Sequence, residues 1–273
     1  MNAEIIHQVD NYPVEFFVYH FPLHAIQILA HTHNKDQLLY SEGGIIHVFI
    51  EGKHWYLPAR CFMWIPAGVE HSILTYSKKV NLYNFYFKHE AKENSFYHEP
   101  NIYFANDLLR EMILYTATWF GPMDTENPPK YYFLKAIKEN LAEMESTKLP
   151  LTIQHPFPKE PKLVEIAVFL YKNIDKDYTL EEIAKEFALS TRTLSRKFRD
   201  SIGMSYVHFL RSLRITKALE LIAQNHYTMY EIALMIGYNS LSTFSNIFHK
   251  VTGLRPSEYA HILYHRAQEP LKD

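Results

Sequence analysis

Thr179-Leu180-Glu181-Glu182-Ile183-Ala184 returns 49 residues later as Thr228-Met229-Tyr230-Glu231-Ile232-Ala233, and these two hexapeptides decide the reading of the chain. Past one inserted residue the offset becomes 50. Ser190 then matches Ser240, Thr193 Thr243, Ser195 Ser245, Phe198 Phe248 and Gly203 Gly253. Thr followed three residues on by Glu is a capping box, which satisfies free amide donors at a helix start. Leu180, Ile183, Ala184 and Phe187 fall at i, i+3, i+4 and i+7, as do Met229, Ile232, Ala233 and Ile236, so each set lines one helical face. Ser190 and Ser240 stand as N-caps of a second helix in each copy, anchored by Leu194 and Phe198 and by Phe244 and Phe248. A short helix, a tight turn and a second helix make a helix-turn-helix unit, whose second helix enters the major groove of DNA.

Between the copies the pattern predicts a helix from about Met204 to Ala223. At 1.5 Å per residue, ~20 residues span about 30 Å. Successive major-groove faces of B-DNA lie ~34 Å apart. One chain is therefore expected to set two recognition helices into adjacent grooves of double-stranded DNA. The competing reading is a helical bundle, or a helical repeat for protein contacts, with accidental self-similarity; nine matched positions in register weigh against it.

The stretch Leu163 to Ile262 closely resembles the AraC/XylS-type transcription regulators. The likeness is carried by Leu180-Glu-Glu-Ile-Ala184, Leu189-Ser-Thr-Arg-Thr-Leu-Ser-Arg-Lys-Phe198, Gly237-Tyr-Asn-Ser240, Phe244-Ser-Asn-Ile-Phe-His-Lys250 and Gly253-Leu-Arg-Pro-Ser-Glu-Tyr259. The resemblance implies a seven-helix domain that activates or represses a nearby promoter. Activation, with RNA polymerase as a partner, is the expectation.

Upstream the text changes character. Gln37–Glu42, Gly44–Ile50, Lys53–Leu57, Cys61–Pro66, Ser72–Tyr76 and Leu82–Phe87 are short β-branched or aromatic runs separated by turn clusters, which suggests a sandwich or barrel. Helical spacing follows over Asn106–Phe120 and Lys130–Ser146. Pro150, Pro156, Pro158 and Pro161 then mark a linker. Strands first and helices afterwards mean segregated α+β domains. The expected division is a cupin-like β-barrel sensory domain over 1–149, whose helices at about 105–147 are candidates for dimerisation; a linker over 150–161; and an all-α DNA-binding domain over 162–273. Leu109, Ile113 and Ala117, with Phe133, Ile137 and Leu141, would form a homodimer seam or cover the barrel.

Bulk properties agree. The 273 residues carry a net charge of −2. From Lys162 onward there are 15 Lys/Arg against 12 Asp/Glu, and 13 against 18 before it, so a mildly basic half follows an acidic one. Cys61 stands alone, which excludes a disulfide framework and a four-cysteine zinc site. Met1 to Asp10 lacks a basic start and an apolar core, so no signal peptide is expected; no apolar run approaches the length needed to cross a bilayer, so no membrane partner is expected and a cytoplasmic location is.

On the second helices, the expected base-reading residues are Arg192, Ser195 and Arg196, then Leu241, Ser242, Ser245 and Asn246. Arg bonds guanine O6 and N7 bidentately, Asn can read adenine, and Leu packs on a thymine methyl. Asn246 stands where the family frequently has Arg, so the second half-site is expected to be A/T-leaning. Thr191, Lys197, Arg199, Lys217, His249 and Lys250 are expected at phosphates, where they position without specifying.

His31-Thr-His33, Gln37, Gly43-Gly44, Pro66 and His71 resemble the two motif segments of cupin barrels. Residues i and i+2 of a strand share a face, so His31 and His33 would both point inward, joined by His71. Three imidazoles suit a divalent Zn, Fe, Ni or Mn ion. Gln37, however, occupies the place of the usual Glu ligand, and an amide is the weaker donor. A polar pocket for a small-molecule effector, or histidines bonded within the barrel wall, are the alternatives. Three functions follow: a ligand-responsive regulator, a metal-dependent cupin enzyme with a helical appendage, or an architectural DNA binder without a ligand. The amide at Gln37 and the repeat favour the first, and no catalytic residue is assigned.

Overall fold

Leu38-Leu39-Tyr40 and Cys61-Phe62-Met63-Trp64-Ile65 show no polar alternation, and in the fold every one of these side chains is buried. The computed structural model describes residues 9–23, 27–51, 53–75, 80–90, 94–142, 158 and 160–265, and they fall into a strand-rich unit and a helical unit. In the first, β1 (Phe16–Leu23), β3 (Lys35–Glu42), β6 (Cys61–Ile65), β8 (Val80–Lys88), β9 (Asn101–Phe104) and β10 (Phe120–Met123) make a six-stranded antiparallel sheet. Its order is β10-β1-β8-β3-β6-β9. A second sheet has the order β2-β7-β4-β5, from β2 (Gln27–His31), β7 (His71–Leu74), β4 (Ile46–Ile50) and β5 (Lys53–Leu57).

Leu38, Tyr40, Phe62, Trp64, Phe85 and Phe87 pack on one face of the larger sheet, against Leu109 and Ile113 of α1 (Asp107–Tyr115) and Leu134 and Ile137 of α2 (Pro128–Asn140). The alternating residues Gln37, Leu39, Met63, Asn84 and Tyr86 are buried on the opposite side. A sheet covered on both faces requires apolar residues at consecutive positions, which explains the unbroken runs. Among the described residues the two sheets are not hydrogen-bonded into one closed ring, so the expected barrel is a two-sheet arrangement.

One expectation is corrected. The helix foreseen over Asn106–Phe120 stops at Tyr115, and Phe120–Met123 is an edge strand paired with β1. Gly121 takes φ +94° and Pro122 follows it; proline is tolerated only where no ladder donor is needed, as at a sheet edge. Of the two roles read for the helix faces, Leu109, Ile113, Ile137 and Leu141 take the second: they are buried in this unit's own core and cover the sheet, with Phe133 partly buried against it and Ala117 exposed. Residues 143–150 and most of the expected linker lie outside the described residues; Pro161 opens the next helix at its first position.

The helical unit runs α3 (Pro161–Lys172), α4 (Leu180–Glu186), α5 (Thr191–Lys197), α6 (Tyr206–Gln224), α7 (Met229–Met235), α8 (Leu241–Thr252) and α9 (Pro256–His265). That is seven helices among the described residues. Both capping boxes form, and the Ser190 and Ser240 side chains accept from the amides of Thr193 and Thr243. The inserted residue is Asn239: Leu189 N donates to Ala184 O as Tyr238 N does to Ala233 O, both at 2.8 Å, after which the second copy needs one more residue to reach its cap. α5 continues into a π-helical turn over Phe198–Ile202, whereas α8 is regular throughout. At its 19 residues, α6 is about 28 Å long.

Candidate nucleic-acid interface and histidine cluster

The burial of Thr191–Asp200 repeats in Leu241–Lys250. Leu194 and Phe198 answer to Phe244 and Phe248, Ser195 and Lys197 are half-buried like Ser245 and Ile247, and only Thr193 and Thr243 differ. Thr191, Arg192, Arg196 and Arg199 are exposed on the first copy, and Leu241, Ser242, Asn246, His249 and Lys250 on the second. The two helices thus turn equivalent faces outward; these hold Arg192, Arg196, Leu241, Ser242 and Asn246 of the expected base-reading residues, with Ser195 and Ser245 half-buried beside them.

Two expected phosphate partners are engaged elsewhere. Lys197 pairs with Glu160. Lys217 pairs with Glu220 at 2.8 Å and lies 5.2 Å from the Tyr171 ring centroid, which places it in the packing of α6 on α3. Both are intradomain contacts, so each ammonium already has a carboxylate partner within the helical unit.

Sequence reasoning missed Arg214, a 6% exposed arginine in α6. Its Nε donates to Ile174 O at 3.3 Å, and a terminal nitrogen donates to Lys176 O at 3.0 Å and Asp177 Oδ1 at 3.3 Å. Its guanidinium also lies 5.2 Å from the Tyr238 ring centroid. One side chain therefore joins the loop leading into the first motif to the turn of the second. The only sequence signal was Gly237, which has φ +82°, and where a Cβ would sit 2.6 Å from that guanidinium and 2.9 Å from Asp175 O.

In the strand-rich unit, His31, His33 and His71 converge, with one ligand atom from each within 4.8 Å of the others. His31 and His71 face each other in the β2–β7 register, their ring centroids 4.3 Å apart. The expected i, i+2 strand geometry does not hold. β2 ends at His31, and His33 reaches the cluster from the connection to β3. The ladder shifts register between Ile28 and His31.

The donor set is prearranged. Nδ1 of His31, His33 and His71 lies 2.9, 2.6 and 2.9 Å from the carbonyl oxygens of Leu29, Lys35 and Val69. A carbonyl only accepts, so each Nδ1 carries a proton, and in the neutral ring Nε2 offers a lone pair. Burial pushes His71 down to about 3, assisted by its two imidazole neighbours, and burial lowers His33 as well. Asn84 Nδ2 donates to Tyr19 O at 2.9 Å, so its Oδ1 accepts from Gln37 Nε2 at 2.8 Å. Gln37 Oε1 is thereby turned to His33 Nε2 at 3.2 Å, acceptor against acceptor. Nε2 of His71 is buried with no hydrogen-bond partner. A cation fits this arrangement: it would satisfy the opposed acceptors and the orphaned nitrogen together.

A family profile described as "Helix-turn-helix domain" matches residues 183–261. The HTH-type transcriptional regulator NimR of Escherichia coli (strain K12) is 26% identical over 233 residues, 84% of this chain and 81% of that protein. The HTH-type transcriptional activator RhaR of Pectobacterium carotovorum subsp. carotovorum (strain PC1) is 34% identical over 90 residues, 33% of this chain and 32% of RhaR. Among solved structures, the C-terminal domain of AraT, a response regulator from Geobacillus stearothermophilus, is 30% identical over 42% of this chain and 93% of that one, with a TM-score of 0.36. No helix among the described residues is long and apolar enough to cross a membrane.

Proposed function

We propose that the chain is a DNA-binding transcription regulator of the AraC/XylS type, which grips two successive major grooves of an operator with α5 and α8 while its strand-rich unit senses a divalent metal ion. The observation that carries the DNA half is the duplicated outward face on two helices flanking a rod of about 28 Å. Arg192 and Arg196, with Ser195 between them, supply base contacts in one groove. Leu241 and Ser242 begin the matching face in the other. Thr191, Arg199, His249 and Lys250 are placed to hold phosphates.

Base and phosphate contacts leave different signatures. Arg196→Ala is expected to relax base choice at one operator position, worth about 1–3 kcal/mol. Lys250→Ala is expected to weaken all sequences alike and to flatten the salt dependence by close to one counterion. Gel-shift titrations on randomised operators at two salt concentrations separate the two. Equal and sequence-blind losses for both variants would sink the assignment.

For the sensory half, His31, His33 and His71 would hold the ion through Nε2, with Gln37 Oε1 beside them. Imidazole ligands suit Zn, Ni or Fe, and Mn less well. The ion would tie β2, β7 and the β2–β3 connection together. It alters DNA binding only if it favours one arrangement of the protein over another. No catalytic residue is assigned, and the amide of Gln37 cannot itself act as a general base. RNA polymerase and a second copy of the chain are further partners in it. Exposed Leu108, Tyr115 and Tyr132 supply apolar surface on α1 and α2 for that second copy. A monomeric mass at micromolar concentration would remove the dimer from the account.

A further inference from the structure

The second motif lacks an arginine on its recognition helix, yet a guanidinium lies on that helix. Arg255, between α8 and α9, reaches back so that one terminal nitrogen donates to Asn246 Oδ1 at 2.8 Å and to Ser245 Oγ at 3.3 Å. We propose that Arg255 is the base-reading arginine of the second motif, and that Asn246 and Ser245 hold it in place rather than reading DNA themselves. The proposal deepens the operator reading above and rests on it.

Three observations support the assignment. The first is position. Asn246 corresponds to Arg196 at the 50-residue offset, so Arg255 brings its charge to the spot Arg196 occupies in the first copy. On a helix, Ser242, Ser245, Asn246 and His249 share one face, and the guanidinium lies at its middle.

The second is preorganisation. Arg255 N donates to Glu258 Oε2 at 2.5 Å, Arg255 O accepts from Tyr259 N at 2.9 Å, and Pro256 opens α9. The backbone is thus fixed at a helix start, and the two contacts to α8 fix the far end. A long side chain held at both ends loses less freedom on binding than a free one.

The third is hydrogen-bond capacity. To read adenine, Asn uses Oδ1 and Nδ2 together. Here Oδ1 already accepts from Arg255. The guanidinium keeps Nε and its other terminal nitrogen, the pair of donors that can meet O6 and N7 of one guanine. Arg255 is exposed, so a groove can reach it. The A/T-leaning second half-site expected from Asn246 is accordingly replaced by one that contains a guanine.

The test is selection of operators from randomised DNA by the full-length protein and three variants, with melting temperatures as the control for folding. Wild type is expected to fix a guanine in the half-site of the second motif. Arg255→Ala should lose that preference by about ten- to a hundredfold in relative affinity, with choices in the first half-site unchanged. Arg255→Lys keeps the charge but not the planar fork, and should weaken the guanine preference while retaining the salt dependence. Asn246→Ala should weaken the guanine preference, and should do nothing further in the Arg255→Ala background. Arg255→Ala weakening every sequence alike, with base choice intact, would make Arg255 a phosphate contact and overturn the assignment. So would loss of an adenine preference in Asn246→Ala alone. A wild-type chain that selects no sequence would overturn the operator reading and this assignment with it.

Discussion

Gly237→Ala is expected to destabilise the helical unit by roughly 2–4 kcal/mol, read as a lower denaturation midpoint of the helical signal. Two costs add. Gly237 has φ +82°, where a side chain costs about 1 kcal/mol. Its new Cβ would also stand 2.6 Å from the Arg214 guanidinium and 2.9 Å from Asp175 O. Overpacking of this kind typically costs 1–3 kcal/mol. The guanidinium cannot swing clear without giving up its bonds to Ile174 O, Lys176 O and Asp177. Leaving buried polar groups unpaired costs still more. The first copy supplies the internal control. Ala188 occupies the same turn position at φ +53°, so Ala188→Gly should be neutral or mildly stabilising. Because Arg214 links the two motifs, Gly237→Ala should also cost affinity for an operator with both half-sites more than for one alone. A change in stability within 0.5 kcal/mol of zero would show that the linkage is slack.

The second large effect concerns the histidines. Wild-type protein is expected to carry one divalent ion per chain after exposure to Zn or Ni, and His71→Ala none. At a free metal concentration 100 times the dissociation constant, binding to the folded form alone is worth about 2.7 kcal/mol. Thermal melts with metal and with chelator should therefore diverge for wild type and coincide for His71→Ala. Gln37→Glu supplies a charged oxygen in the same place and should tighten binding. Elemental analysis of reconstituted wild-type protein showing no metal would retire the ion and leave the cluster as part of a polar pocket.

What the sequence disclosed follows from how local each signal is. Caps and helical periods are written within a few residues, so Thr179, Thr228, Ser190 and Ser240 could be placed before any fold was known, and all four cap as read. Strands paired across long separations were harder. β1 carries His20 and Pro22 in its run, and β9 and β10 are four residues each, too short for a periodic signal. The faces of α1 and α2 could be read, but not what they cover. The histidines were found by type, although His33 arrives from a connection rather than from a strand. Arg214 and Arg255 were illegible because their partners are 37 to 40 and 9 to 10 residues away, and only the folded chain brings them together.

The central claim is that α5 and α8 read two grooves at once, and half-site spacing tests it most directly. On an operator selected by the full-length protein, inserting five base pairs between the half-sites turns one by about half a helical turn. Affinity should then fall to that of a single half-site, and inserting ten should not restore it, because α6 cannot lengthen. Affinity indifferent to the insertion, or equal to that for bulk competitor DNA, would contradict the account.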